Sequence, residues 1–303
     1  MTHHSPAPEK IQPRQLLLRT AGACGLDPEH LLEVFGRQRQ RFAAVLREYG
    51  PGDWAAPTRC TGWSAHDVVR HLCDGTIRLA AAGPDDRTFD LTAGYDPRTT
   101  PRRWLAASAN ESPGATLSRF LATTDKLLVL ARDRLAYSRS FTIRLPYGPA
   151  DWTVLVLHAF WDSWLHERDV LLARDREHPT DGDATLYATA YGLFIAAAVA
   201  SMFGDQVQQE LTLGGDGGGV FHLDSRGAIT LTATPAAAAG RPAAEITDAL
   251  AGRVPAAAVL GDLPASSRAA LSRMADFFNT PVPAEPGLTT PAKQRKHRPA
   301  RHH

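Results

Sequence analysis

Cysteine is scarce in this chain of 303 residues: Cys24, Cys60 and Cys73 are the full complement. So sparse and odd a set excludes a disulfide framework and points to a reducing cytoplasm. Charge of one sign is scarcer still. Lys and Arg total 33 against 32 Asp and Glu, a formal net charge of +1, so the electrostatic footprint of nucleic-acid binding is missing. No run reaches the roughly 18 consecutive apolar residues of a membrane helix. The most apolar stretch, 188–203, carries Thr189, Tyr191 and Ser201 and reads as a buried helix. The chain opens Met-Thr-His-His-Ser-Pro, without the apolar core of a signal peptide. Neither a nucleic acid nor a membrane is an expected partner.

What is present describes a globular protein. Hydrophobic residues make up 44% and charged residues 21%, near the usual averages, and the length suits two domains. Residues 1–25 and 285–303 are polar and basic and read as flexible tails. Asp27 is a good N-cap for a first helix, which Gly50-Pro51-Gly52 stops. Ser64 with Asp67 three residues on resembles a capping box for a second. Further helices are predicted over about 116–134, 151–173 and 185–203; residues 141–149 read as a short extended segment ending in a turn, with no other strand pattern between the helices. That pattern predicts an antiparallel four-helix bundle over 26–204. The segment 83–114, rich in Gly, Pro, Asp and Arg, reads as a long functional loop or lid.

After Gly204 the texture changes. Three period-two runs begin at Gln209, Gly219 and Ala228, separated by glycine-rich turns, and two helices follow near 243–251 and 265–279. The fold class is therefore α+β with two domains, the second a small α+β unit over 205–284. The glycine run 214–219 lacks the Gly-Lys-Ser/Thr ending of a phosphate loop and reads as a hairpin connection.

Chemistry concentrates on the fourth helix, where Asp162 and His166 lie four residues apart and project from one face. Such a pair is compatible with a structural hydrogen bond or with a metal. His71, on the second helix, is a core histidine or a third ligand brought in by bundle packing. Two imidazoles and a carboxylate with an open position would describe a catalytic divalent site that favours zinc. Cys60 and Cys73 are possible competitors, but Cys73 should face elsewhere, and no cysteine is expected at the reacting centre.

The run Trp54-Ala-Ala-Pro-Thr-Arg-Cys-Thr-Gly-Trp-Ser-Ala-His-Asp-Val-Val-Arg-His-Leu resembles the mycothiol-dependent maleylpyruvate isomerase family, among the DinB-like metal-binding bundles. Asp162-Ser-Trp-Leu-His-Glu-Arg-Asp-Val is similar to its second metal motif, and Thr247-Asp-Ala-Leu-Ala-Gly-Arg to its sterol-carrier-protein-like C-terminal domain. The resemblance implies a metal site at His71, Asp162 and His166, and a catalytic, cofactor-binding arginine, here Arg253, reaching in from the C-terminal domain. Family members usually carry Glu where Asp162 stands. The resemblance further implies mycothiol, a low-molecular-weight thiol, as cosubstrate.

The expected function is a metal-dependent, mycothiol-using thiol S-transferase acting on an electrophilic small molecule. The alternatives are a maleylpyruvate-type cis–trans isomerase and a non-catalytic binding or regulatory protein. Monomer and homodimer both stay open.

Overall fold

Asp27 opens the first helix by accepting from the Glu29 N–H at 3.0 Å, and Pro28 sits in the first turn where its missing N–H costs nothing. The computed structural model describes residues 27–81, 88–90, 93–96, 99–136, 142–145, 148–179, 181–226, 229–235 and 239–279. The tails expected at 1–25 and 285–303, together with Cys24, lie outside the described residues.

Four long helices make the N-terminal part: α1 (Pro28–Arg47), α3 (Ala65–Leu79), α5 (Pro113–Ala136) and α6 (Trp152–Leu172). Helix α5 packs on α1 and α3, and α6 packs on the same two, so the four close a ring. A single turn, α2 (Pro51–Trp54), follows the Gly50 stop. The capping box predicted for α3 is present, with the Asp67 N–H donating to Ser64 Oγ at 3.1 Å and the Ser64 N–H to Asp67 Oδ2 at 2.9 Å.

Helix α7 (Gly182–Met202) is apolar all round because it has no free face. It packs on α1 and α6 and also on α8 (Ala243–Leu250), α10 (Ala265–Asn279) and two strands of the C-terminal sheet. It is long and apolar enough to cross a membrane, yet 83% of its most apolar window is buried in the fold. One core cluster runs without a break from Leu31 to Met274, across the position where the composition changes.

The C-terminal sheet has the order β6-β5-β4-β7, formed by β4 (Gln208–Gly214), β5 (Gly219–Asp224), β6 (Thr230–Pro235) and β7 (Arg241–Pro242). The glycine run between β4 and β5 is a hairpin turn, as predicted. Its Gly217 has φ +71°, and a Cβ there would lie 2.5 Å from the Leu186 backbone nitrogen. Only glycine lets this turn rest on the first turns of α7. A short helix, α9 (Ala256–Val259), links α8 to α10.

Two expectations are corrected. The segment 83–114 is not a featureless loop: its described part contains β1 (Thr88–Asp90) and α4 (Thr100–Ala107). A sheet also lies between the bundle helices, with β1 parallel to β2 (Thr142–Leu145) and β2 antiparallel to β3 (Gly148–Asp151). These strands have three or four residues each, too few for a period-two pattern to register.

Candidate metal centre

Helices α3 and α6 face each other across the bundle and bring their histidines together. The His71 and His166 rings stand edge to face, 5.1 Å between centroids. Asp162 lies between them, with Oδ2 3.8 Å from His71 Nε2 and Oδ1 3.5 Å from His166 Nε2. One ligand atom from each residue falls within 4.8 Å of the other two. Ligands about 2.1 Å from a shared tetrahedral ion sit about 3.4 Å apart. The shorter Asp162 side chain therefore still suits a shared ion.

Asp162 is the charge that asks for a cation. Burial alone would push its carboxyl up, but the imidazoles of His166 and His71 outweigh burial and hold it well below the usual carboxylate range. Among the described residues its ion pairs are those two histidines alone. His71 packs on Trp63 at 5.0 Å, and its buried Nδ1 has no hydrogen-bond partner among the described residues. One carboxylate and two imidazoles, with no arginine of the described residues at ion-pair distance, fit a divalent metal.

The wall beside this cluster is aromatic. His158, one turn before Asp162 on α6, has Nδ1 3.0 Å from the Tyr191 hydroxyl and stacks on Trp161. Burial lowers the His158 pKa. Tyr95, from the segment expected to act as a lid, is half-buried and near enough to Asp162 that desolvation and then this carboxylate push its phenol up to about 12.

A second cluster shares His166 through its other nitrogen. His166 Nδ1 is 3.0 Å from Asp169 Oδ2 and 3.5 Å from Cys60 Sγ, and the thiol donates to the same carboxylate oxygen at 3.1 Å. The spacing again suits a metal, but the charge is already met. Arg253 donates from Nε and Nη2 to Asp169, both at 2.9 Å, and Arg59 Nε adds a bond at 3.1 Å. A cation would displace guanidinium groups there, so the first cluster is the better metal site.

His71, Asp162 and His166 thus converge as expected, whereas Arg253 is not with them. Its side chain, 14% exposed, is spent on Asp169 and on the Ala251 carbonyl at 3.1 Å. The expectation that no cysteine sits at the centre also needs correction. Cys60 touches His166, because the loop before α3 folds back over α6 through the bond from the Arg59 N–H to the Asp169 carbonyl. Burial and the Asp169 charge push the Cys60 thiol far up, so it stays protonated. Cys73, as expected, faces elsewhere, its thiol 3.7 Å from the Thr116 carbonyl oxygen.

Sequence reasoning missed Arg59, Asp169 and Asp248. The signals existed: Arg59 and Asp248 stand inside the first and third motifs, and Asp169 follows His166 by three, one helical turn.

Residues 35–171 match the family described as mycothiol maleylpyruvate isomerase N-terminal domain. Among solved structures, the chain is similar to the crystal structure of a histidine-to-alanine mutant of the mycothiol-dependent maleylpyruvate isomerase. The TM-score is 0.54 at 15% identity, over 76% of this chain and 91% of that one. At that identity the likeness concerns the fold. Comparison with curated protein sequences returns no match.

Proposed function

The chain belongs, through residues 35–171, to the mycothiol maleylpyruvate isomerase N-terminal domain family, and from that premise we propose that it is a metal-dependent enzyme with mycothiol as cosubstrate. Its reaction is thiol S-transfer to an electrophilic small molecule. The observation that carries this reading is the convergence of His71, Asp162 and His166 within 4.8 Å, around a carboxylate whose ion pairs among the described residues are the two imidazoles.

A free thiol has a pKa near 8.5, so only a few per cent of it is nucleophilic at neutral pH. A divalent metal bound at the three residues, zinc by preference of the two imidazoles, supplies the charge that favours thiolate. The chain's own residues do the rest. His71, Asp162 and His166 would hold that metal. Trp63, packed on both histidine rings, and the His158–Tyr191 pair give the centre an apolar surround that limits water.

The nucleophilic sulfur adds to an electrophilic carbon as the π pair of its double bond moves to the neighbouring atom, which takes up the proton the thiol gave up, or as a leaving group departs with its electron pair. In a transferase the new C–S bond stays in the product; in an isomerase it breaks again after bond rotation and the thiol returns. The aromatic wall and the commitment of Arg253 to Asp169 favour transfer to a largely apolar electrophile over handling of a small diacid. The family favours isomerisation as the second reading. A reducing cytoplasm, in which Cys60 and Cys73 stay free, suits both.

Isotopically labelled mycothiol offered with a panel of electrophiles separates these outcomes. Label retained in a conjugate is the expected result. An isomerised substrate with an unchanged thiol pool would replace transfer by isomerisation. Failure of the metal-loaded protein to consume or cycle the thiol at all would leave a binding protein.

A further inference from the structure

Behind His166, on the side away from His71 and Asp162, lies a buried charge cluster that the proposed reaction does not use. Its centre is Asp169, whose side chain is 0% exposed. It receives the Arg253 fork, Arg59 Nε, the Cys60 thiol and the His166 ring. Arg59 also donates Nη1 and Nη2 to Asp248 at 3.1 and 2.6 Å, and Arg168 Nη2 donates to the same carboxylate at 2.6 Å.

Arg253 is delivered to this spot by the end of α8. Gly252, at φ +72°, reverses the chain just past the helix, with its N–H bonded to the Ala249 carbonyl at 3.0 Å. The Arg253 N–H reaches back to the Asp248 carbonyl at 2.8 Å, completing a Schellman motif. The same turn therefore aims Arg253 at Asp169 and holds Asp248 beneath Arg59. Three segments far apart in sequence, the loop before α3, the end of α6 and the end of α8, meet behind one histidine.

We propose that Asp169 is the positioning residue for His166, and that Arg253 acts through Asp169 rather than by touching substrate. The inference rests on the reading of His166 as a metal ligand. A carboxylate at 3.0 Å from Nδ1 would accept a hydrogen bond from that nitrogen and so leave Nε2, on the Asp162 side, free to ligate a metal. Arg253, through Nε and Nη2, and Arg59, through Nε, fix this carboxylate in place with hydrogen bonds of 2.9–3.1 Å. Docking of the C-terminal region thus sets how well the bundle holds its metal. Carboxylates in this relation to a ligating histidine are worth about 10–100-fold in metal affinity.

The test uses the full chain and zinc alone. In metal-free protein labelled with 15N-histidine, the His166 signal, assigned by its loss in His166→Gln, is expected to show the proton on Nδ1. Competition against a chromophoric chelator is expected to show zinc bound about 10–100-fold more weakly by Asp169→Asn. Arg253→Met should give a smaller loss, and Arg253→Lys should recover part of it. Zinc affinity equal in wild type and His71→Ala would overturn the metal site itself, and this inference with it. Zinc binding that needs His71 but is unchanged in Asp169→Asn would overturn the positioning role alone. A His166 ring with Nδ1 unprotonated in the metal-free wild type would do the same, and that measurement decides the matter should the variants fail to fold.

Discussion

The two sides of His166 use similar residues and do opposite things. On the Nε2 side a partly exposed carboxylate, Asp162, has ion pairs among the described residues only with imidazoles, His71 and His166, while the buried Arg39 guanidinium acts on it from farther off. On the Nδ1 side a buried carboxylate, Asp169, meets two guanidinium groups as well as the ring and a thiol. Geometry alone does not tell them apart, for both groups of side chains are close enough to hold an ion. Charge does. A carboxylate that meets only imidazoles at ion-pair distance has room for a cation, whereas a buried one enclosed by arginines is already complete. One side of the ring is left for a ligand, and the other is built to hold the ring still.

The largest effect expected from breaking this contrast is on the ligand side. His71→Ala should abolish turnover and metal content measured by elemental analysis, while far-UV circular dichroism stays near wild type. Loss of a metal ligand removes several kcal/mol of thiolate stabilisation. Metal retained at the wild-type level would move the site away from α3. On the other side, Asp169→Ala should act first on stability. It leaves Arg253 and Arg59 buried without their shared partner, which costs about 3–5 kcal/mol, read as a lowered denaturation midpoint. A midpoint within about 0.5 kcal/mol of wild type would show that the cluster relaxes freely.

The ligand side was legible in the sequence because one helix carries two of its members at a four-residue spacing, and His71 sits in a motif of its own. The holding side was not, although each of its members lies inside one of the three motifs. Arg59 and Cys60 stand twelve and eleven residues before His71, and Asp248 and Arg253 lie beyond the change of texture at 204. Nothing in local spacing says that these meet Asp169. That pairing is set by α7, which packs on the bundle and on α8 at once. For the same reason Arg253 was expected at the substrate. Its presence near the centre could be anticipated, but not that a buried carboxylate would use up its fork. The fold was read well where helices are long and capped, as at Asp27 and Ser64, and poorly where strands have three or four residues.

Smaller effects sharpen the comparison. Asp248 holds Arg59 and Arg168 rather than His166, so Asp248→Asn should lower stability by about 1–3 kcal/mol with zinc affinity reduced less than in Asp169→Asn. Burial works against its ionised form, but the two arginines prevail and its folded-state pKa is depressed. Its contribution is thus present above the ordinary carboxylate range and lost as pH falls through the folded value. The midpoint difference between wild type and Asp248→Asn should shrink steadily below about pH 4. A difference that stays constant down to pH 2 would mean that ionisation of this carboxylate is not what is lost. Gly252→Ala should cost about 1 kcal/mol, since alanine is strained at φ +72°. It should also weaken zinc binding slightly by turning Arg253 off Asp169, whereas full zinc affinity would separate the turn from the metal.

The smallest effect is expected at Cys60, although no other cysteine in the described residues touches the centre. Its thiol is a donor to Asp169, held protonated by burial and by that carboxylate, with Arg253 opposing only in part. A protonated, half-buried thiol is a poor nucleophile, and sulfur is a weak donor to a carboxylate that already accepts from two arginines. A serine hydroxyl in its place can still donate to Asp169. Cys60→Ser should therefore keep zinc affinity within about threefold and stability within about 1 kcal/mol of wild type, with turnover of labelled mycothiol preserved. Were Cys60 the nucleophile, the same change would remove activity while leaving metal content intact. That pattern would move the reacting sulfur from the Nε2 side of His166 to the Nδ1 side and invert the roles assigned to the two.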